Sequence, residues 1–275
     1  MYAKYEVKRM VELKKLVTFA GDSFPADHYF PGESHNFWEM VFVMSGKVGV
    51  TADKNVYIVE RGNVVIHKPN EFHSIWSEGG TAPDVIILSF EAKNMPAPSS
   101  TTYILSDSDM NKIKQIAEDA RTIFSYRYET YEPTSVICGK EYDASYLILS
   151  LECLIHEIML NPNIEETRHN SLSARNYSLI LSVLEENLYL RPDLPDIARL
   201  CNMSESNLKK VFSKYAGCGI MQYFHTMKMK KAAELLSGGM SVKETASTLG
   251  YADQNYFSSV FKRVIGISPS KYKSK

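Results

Sequence analysis

The stretches Ile197–Gly217, IARLCNMSESNLKKVFSKYAG, and Thr245–Gly266, TASTLGYADQNYFSSVFKRVIG, read as one small helical unit written twice. Ala198 and Ala246 stand 48 positions apart, as do Asn202 and Gly250. Phe212 and Phe261 stand 49 apart, as do Gly217 and Gly266. The additional residue falls in the second turn, ahead of its cap. In each copy a short helix meets a turn residue that tolerates the left-handed conformation, Asn202 or Gly250. A small residue, Ala198 or Ala246, stands where two crossing helices must approach. A polar residue, Ser204 or Asp253, then caps a second helix. A duplicated helix-turn-helix suits two major-groove segments of one duplex.

Helical spacing separates the faces of those second helices. In the first copy Leu208, Val211 and Phe212 are expected to point inward, leaving Glu205, Ser206, Lys209, Lys210 and Ser213 outward. In the second, Tyr256, Phe257, Val260 and Phe261 are expected inward, and Gln254, Asn255, Ser258, Ser259 and Lys262 outward. Lysines reach phosphates, and Gln and Asn can bond adenine in a bidentate way. The Asp253 cap tempers indiscriminate attraction to phosphate. Between the copies Ile220–Ser237 reads as a single helix, about 27 Å long at about 1.5 Å per residue. Such a spacer would set the two reading helices about one duplex turn, about 34 Å, apart.

The charge balance agrees. The chain of 275 residues has a formal net charge of −1. Residues 175–275 carry 15 Lys and Arg against 8 Asp and Glu, and residues 1–174 carry 16 against 24. A basic C-terminal third on an acidic body points to a polyanion partner for that third. No apolar run is long enough to span a bilayer. Charges interrupt the N-terminal MYAKYEVKRMVELKKL where a signal peptide would have its apolar centre, so a cytoplasmic protein with no membrane partner is expected. Cys138, Cys153, Cys201 and Cys218 have no metal-ligand spacing and read as reduced structural residues.

Upstream, Trp38–Met44, Lys47–Thr51, Val56–Val59, Asn63–His67 and Val85–Phe90 read as short strands of a sandwich or small barrel. Met95–Thr102 reads as a Pro/Ser linker, after which Ser106 or Asp107 caps a helix carrying Ile113, Ile116, Ala117, Ala120 and Phe124. Glu141–Leu160 reads as a long apolar helix with Leu147, Leu151, Leu154, Ile155 and Ile158 on one face. Tyr146, Ile148 and Leu149 widen its apolar surface, which either packs on the strands or pairs with another subunit. Asn161–Ser173 is polar and reads as the domain boundary. Asn176–Leu190 reads as an amphipathic helix leading into the repeats, and Pro195–Cys201 as the first short helix.

The run Gly250–Lys262, GYADQNYFSSVFK, followed by Gly266–Tyr272, GISPSKY, resembles the signature of the AraC/XylS family of bacterial transcription regulators. The resemblance is strong over about the last hundred residues. It implies an α+β multidomain protein whose C-terminal, all-α tandem helix-turn-helix domain (174–275) binds promoter DNA. The site residues it implies are Ser204, Glu205, Ser206, Asn207, Lys209, Lys210 and Lys214 in the first copy, and Gln254, Asn255, Ser258, Ser259 and Lys262 in the second. The family often has Arg where this chain has Lys228 and Ser259, and the loss of a guanidinium removes a guanine reader.

His35, Glu39 and Gly46 stand as H-x3-E-x6-G, followed by Gly62, Pro69 and His73. This is similar to the two half-motifs of a cupin barrel, implying an effector-binding domain over residues 1–95. A helical segment (96–160) of a homodimer would follow, then a linker (161–173). Glu33 occupies the first motif's earlier histidine position, and the second motif lacks its usual glycine. His35, Glu39, His73, Trp38 and His28 are the candidate effector residues, and no metal or cofactor is expected. The resemblance implies a small-molecule effector of the sugar class, activation as the output and RNA polymerase as a partner. The alternative is a metal-dependent cupin-type enzyme fused to a DNA-binding module, with His35, Glu39 and His73 as ligands and His28 and His67 as outside candidates.

Overall fold

The computed structural model describes residues 9–127, 130, 132–160 and 169–273. The chain divides into two compact units, one ending at His169 and the other beginning at Asn170. The expected linker lies outside the described residues as far as residue 168.

The first unit is built on nine strands: β1 (Glu12–Ser23), β2 (Tyr29–Glu33), β3 (Trp38–Ser45), β4 (Lys47–Ala52), β5 (Asn55–Glu60), β6 (Asn63–His67), β7 (His73–Ser77), β8 (Asp84–Lys93) and β9 (Thr102–Ile104). They form two antiparallel sheets, ordered β1-β8-β3-β6-β9 and β2-β7-β4-β5. Successive side chains of a strand point to opposite faces, and this divides the core. Val41, Val43, Val48, Val50, Val59, Val65 and Val85 fill the space between the sheets. Met40, Phe42, Val64, Ile66, Leu88 and Phe90 form the other face of the larger sheet, on which α1 (Asp107–Ile123) and α2 (Glu141–Leu160) pack. Each such fully buried side chain contributes about 1.5–3 kcal/mol. Gly49 has no side chain because the Trp76 ring takes its place: a Cβ there would lie 2.0 Å from the indole.

The five expected strands are present. The pattern missed β1, whose register is interrupted by two irregularities, and β2, which contains Pro31 and Gly32. It also missed β7 and β9. The expected Pro/Ser linker ends inside the fold, since Thr102 is buried and pairs with Val65. Residues 96–127 and 132–160 thus share one compact unit with the strands. A small hairpin, β10 (Phe124–Tyr126) and β11 (Pro133–Val136), joins α1 to α2. Ser106 caps α1, accepting from the Asp109 N–H. On α2, Leu147, Leu151, Leu154, Ile155 and Ile158 are buried, and the buried Glu152 receives Arg9 and the Leu13 N–H, tying the helix to β1. Tyr142, Tyr146 and Leu149 stay 92, 75 and 52 % exposed.

Among the described residues the second unit is all helical: α3 (Leu172–Glu186), α4 (Leu194–Leu200), α5 (Glu205–Ala216), α6 (Ile220–Ser237), α7 (Val242–Thr248), α8 (Gln254–Ile265) and α9 (Pro269–Lys273). The helix expected from Asn176 begins four residues sooner because Ser171 is its cap, accepting from the Ala174 N–H. Tyr177 of α3 packs on Phe212 and Tyr215 of α5, at ring-centroid distances of 5.8 and 5.2 Å. Met229, Ala232, Ala233 and Leu236 of α6 join Ala246, Leu249, Phe257, Val260 and Phe261 in a second cluster. The 18-residue α6 thus runs between two separately cored helix-turn-helix pairs, α4–α5 and α7–α8.

Candidate nucleic-acid interface and polar barrel end

The first pair is held by capping at both helix starts. Asp193 and Asp196 form a capping box on α4, and Ser204 caps α5 by accepting the Asn207 N–H. The turn passes through Asn202 at φ +53°, and the Met203 N–H returns to the Ala198 carbonyl. Leu208, Val211, Phe212 and Tyr215 are buried, so the opposite face of α5 is open. Ser206, Lys209, Lys210 and Ser213 lie on that face with helical spacing, with Glu205, Asn207 and Lys214 at its flanks, and all are exposed. Lys209 approaches Glu205 at 3.8 Å. The Ser204 hydroxyl is engaged in the cap.

The second pair repeats the construction. Ser241 and Glu244 form a capping box on α7, the turn passes through Gly250 at φ +78°, and Asp253 caps α8 through the Asn255 N–H. Gln254, Asn255, Ser259 and Lys262 are exposed and Ser258 is half-buried. Ser258 and Ser259 donate to the Gln254 and Asn255 carbonyls at 2.8 and 3.0 Å. With their protons so directed, these hydroxyls present lone pairs outward, and can accept from a base amino group but not donate to phosphate.

Three placements differ from the sequence reading. Tyr256, expected inward, is 56 % exposed, because Phe257, Val260 and Phe261 alone fill the inner arc of α8. Arg263 is also exposed and was overlooked; it stands four residues after Ser259, on the neighbouring row of the same helix. Lys228 is 3 % exposed and donates to the Leu190 and Leu249 carbonyls, so no guanine reader is lost at that position. Lys262 and Arg263 give α8 two exposed cations, as Lys209 and Lys210 give α5, where Lys209 faces Glu205.

In the first unit, strand alternation brings Glu39 (β3), His67 (β6), His73 (β7) and Ser89 (β8) to one end of the space between the sheets. Below them that space is filled by valines. His73 Nε2 and His35 Nε2 lie 3.5 and 3.7 Å from the Glu39 carboxylate, which also accepts from Ser89 Oγ at 2.8 Å. The Nδ1 atoms of His35 and His73 face the Phe37 and Glu71 carbonyls at 3.1 Å each, which turns both Nε2 atoms towards Glu39. Glu33 completes a quartet whose ligand-type atoms all lie within 4.8 Å of one another. His67 stacks on His73 at 4.3 Å and faces Glu71 at 3.0 Å.

Burial opposes the charge on Glu39, yet the His35 and His73 rings beside it outweigh burial and hold the carboxyl well below the usual range. Burial likewise opposes charge on His73, but Glu39 raises it. Burial depresses His67 despite Glu71. Charge is thus favoured on Glu39 and His73 and disfavoured on His67, and the group can bind hydroxyls of a polar ligand. The same two Nε2 atoms and two carboxylates form a donor set that could hold a divalent cation.

Trp38 does not join this group. It precedes Glu39 on β3, so its side chain faces the opposite side of the sheet and packs against the helix-facing core. His28 does not join it either: it lies beyond the far end of β2 from Glu33 and stacks on Phe24 at 3.9 Å. Ser89 and Glu71 were overlooked. Alternation with Val85 and Ile87 on β8 is the signal that would have found Ser89.

Residues 20–176 match the model of the AraC-like ligand binding domain, and residues 197–275 match a helix-turn-helix domain model. The chain belongs to the AraC family of transcriptional regulators. It is 23 % identical over 253 residues to the HTH-type transcriptional activator RhaR of Mannheimia succiniciproducens, covering 90 % of each chain. It is 24 % identical over 263 residues to RhaR of Yersinia pestis, covering 90 % of this chain and 85 % of that one. Among solved structures, ToxT from Vibrio cholerae with bound unsaturated fatty acid is 15 % identical, covers 96 % of this chain and 94 % of its own, and has a TM-score of 0.36. As a member of this family the protein is a DNA-binding transcriptional regulator with a ligand-binding domain.

Proposed function

We propose that α5 and α8 enter successive major-groove segments of promoter DNA, and that a small polar effector at the barrel end governs the outcome. The observation that carries this reading is the repeated pair, in which two capped second helices each present an exposed polar face. On α5, Ser206, Lys209 and Lys210 would contact bases and phosphates, with Ser204, Glu205, Asn207 and Lys214 alongside. On α8, Gln254, Asn255 and Lys262 would do so, joined by Arg263, while Ser258 and Ser259 would accept from base amino groups. Activation is the proposed output, since RhaR is named an activator, with contact to RNA polymerase. A cytoplasmic setting accords with DNA binding. No helix among the described residues is long and apolar enough to cross a membrane.

The effector would be held by His35, Glu39 and His73, with His67 and Ser89 behind them. Its class, a sugar or related metabolite, is suggested by the family resemblance and by the hydroxyl-binding character of the carboxylate and imidazole groups. The exposed stripe Tyr142, Tyr146 and Leu149 on α2 supports pairing of two copies through that helix.

Selection of binding sites from random duplexes, followed by footprinting with and without a panel of sugars, tests this reading. Two protected segments about one duplex turn apart are expected, with affinity falling steeply in salt. Salt-insensitive binding, or none to any duplex, would sink it. The Glu33–His35–Glu39–His73 quartet favours a second occupant of the barrel end, a divalent cation. Stoichiometric metal in protein purified without added metal would establish that occupant over the sugar.

A further inference from the structure

A cleft of about 520 Å³ lies within the second unit, between α6, the turn before α8 and the segment preceding α4. Its apolar wall comes from Phe224, Tyr251 and Tyr256. The charged groups around it are mostly of one sign. Lys228 Nζ lies 5.1 Å above the Phe224 ring and 5.7 Å from that of Tyr251, and the Arg191 guanidinium also sits 5.7 Å over Tyr251. The charge of Arg263 acts on both His225 and Tyr251. The single acid lining the cleft, Asp253, is occupied as the α8 cap, its Oδ1 accepting the Asn255 N–H at 2.7 Å.

Three polar groups here have capacity to spare. The Tyr251 hydroxyl and His225 Nδ1 are buried and have no hydrogen-bond partner. Lys228 gives two of its three ammonium protons to the Leu190 and Leu249 carbonyls and meets no carboxylate among the described residues. Burial and the neighbouring Arg191 push Lys228 down to about 8, the mark of a buried cation without a counter-ion. Unpaired buried polar atoms cost about 1–3 kcal/mol each, so a partner that satisfies them gains by doing so. The volume lies within the roughly 300–1,000 Å³ of small-molecule sites.

We propose that this cleft binds a small aromatic carboxylate. Its ring lies among Phe224, Tyr251 and Tyr256, and its carboxylate faces Lys228 and Arg191 with the Tyr251 hydroxyl donating. The site is separate from the barrel end and adjoins the turn and cap of the second reading helix. It gives the helix-turn-helix unit a chemical input of its own.

The full chain is titrated calorimetrically with 3-phenylpropanoate, with 3-phenylpropanamide and inorganic phosphate as comparison probes. The carboxylate is expected to bind at least about 10-fold tighter than the neutral amide, the equivalent of about 1.4 kcal/mol. Arg191→Gln, at an exposed position, is expected to weaken it about 5–10-fold through loss of a charge-assisted contact. Ala252→Leu places bulk in the cleft from another exposed position without altering charge, and is expected to abolish binding; thermal melts of both variants verify that they fold. Binding that survives both substitutions, or equal affinity for the amide, overturns the proposal. So does absence of carboxylate binding up to about 20 mM, which is weaker than about −2.3 kcal/mol. Lost DNA affinity in Arg191→Gln without any carboxylate binding would identify the cleft as a seat for a DNA phosphate, and would also overturn it.

Discussion

Lys228 shows at the scale of one residue how much depends on which way a side chain points. Its ammonium bridges the Leu190 carbonyl, ahead of the first helix pair, and the Leu249 carbonyl, at the end of α7. Lys228→Met leaves both acceptors short of a donor and is expected to cost about 2 kcal/mol in urea unfolding, whereas Lys228→Arg keeps a donor and costs less. On the reading face, Lys210→Ala should weaken binding to all sequences alike and lower the slope of log K against log salt by about 0.9. Asn255→Ala should instead relax one base preference by about 1–3 kcal/mol. If Ser259→Ala relaxed a base preference as strongly, that hydroxyl would be a base reader as well. At the barrel end the two charged partners have opposite signs of linkage. Glu39 lies below its usual 4.5, so its contribution is full above that value and fades as pH falls towards its lowered pKa. His73 lies above its usual 6.5, so its contribution is full below that value and fades as pH rises through its raised pKa. His67, depressed by burial, works against His73 over the pH range below 6.5. Urea unfolding across pH should therefore show a loss above pH 6.5 in the native chain that Glu39→Gln removes. A loss that persists in Glu39→Gln would mean that the His73–Glu39 pair is not its source.

Among elements, legibility in the sequence followed amphipathic period and cap chemistry. Helices α5 and α8 could be read almost to the residue because Ser204, Asp253 and the two closing glycines, Gly217 and Gly266, mark their ends, and α6 because it lies between Gly219 and Gly238. Strands β3 to β6 could be read because they are short, apolar and bounded by turn residues. Strand β1 could not, because irregular pairing with β8 breaks its alternation and its exposed side carries Glu12, Lys14 and Lys15. The polar group at the barrel end was half legible. His35 and Glu39 stand close in sequence, but Ser89 and Glu71 reach the site only through sheet register. Trp38 was misplaced because adjacency in a strand puts two side chains on opposite faces. Helix α2 tests the division of its own surface. Leu151→Ala, in the buried stripe, should cost about 2–5 kcal/mol of stability. Tyr146→Lys, on the exposed stripe, should leave stability within about 0.5 kcal/mol and shift sedimentation towards a single copy. Unchanged sedimentation would remove α2 as the pairing surface.

The whole molecule places an acidic, strand-built unit and a basic, helical unit on one chain. We propose that the effector acts by releasing the second unit or by altering subunit pairing. A truncation beginning at Asn170, where the second compact unit starts, should then bind DNA with no effector present. If gel-shift binding required the barrel, pairing and not release would be the mechanism.

The two turns set different conditions for inherited change. Asn202, at φ +53°, is of a residue type that visits the left-handed region, and Gly or Asp there should be silent. At Gly250, with φ +78°, a Cβ would also lie 3.2 Å from the Tyr189 carbonyl oxygen. Every codon change away from glycine therefore meets backbone strain of about 1–2 kcal/mol together with that contact. In a saturation library selected for promoter output, position 202 should return a mixed spectrum and position 250 a single letter. The duplicated unit would then show unequal mutational freedom at its two equivalent corners.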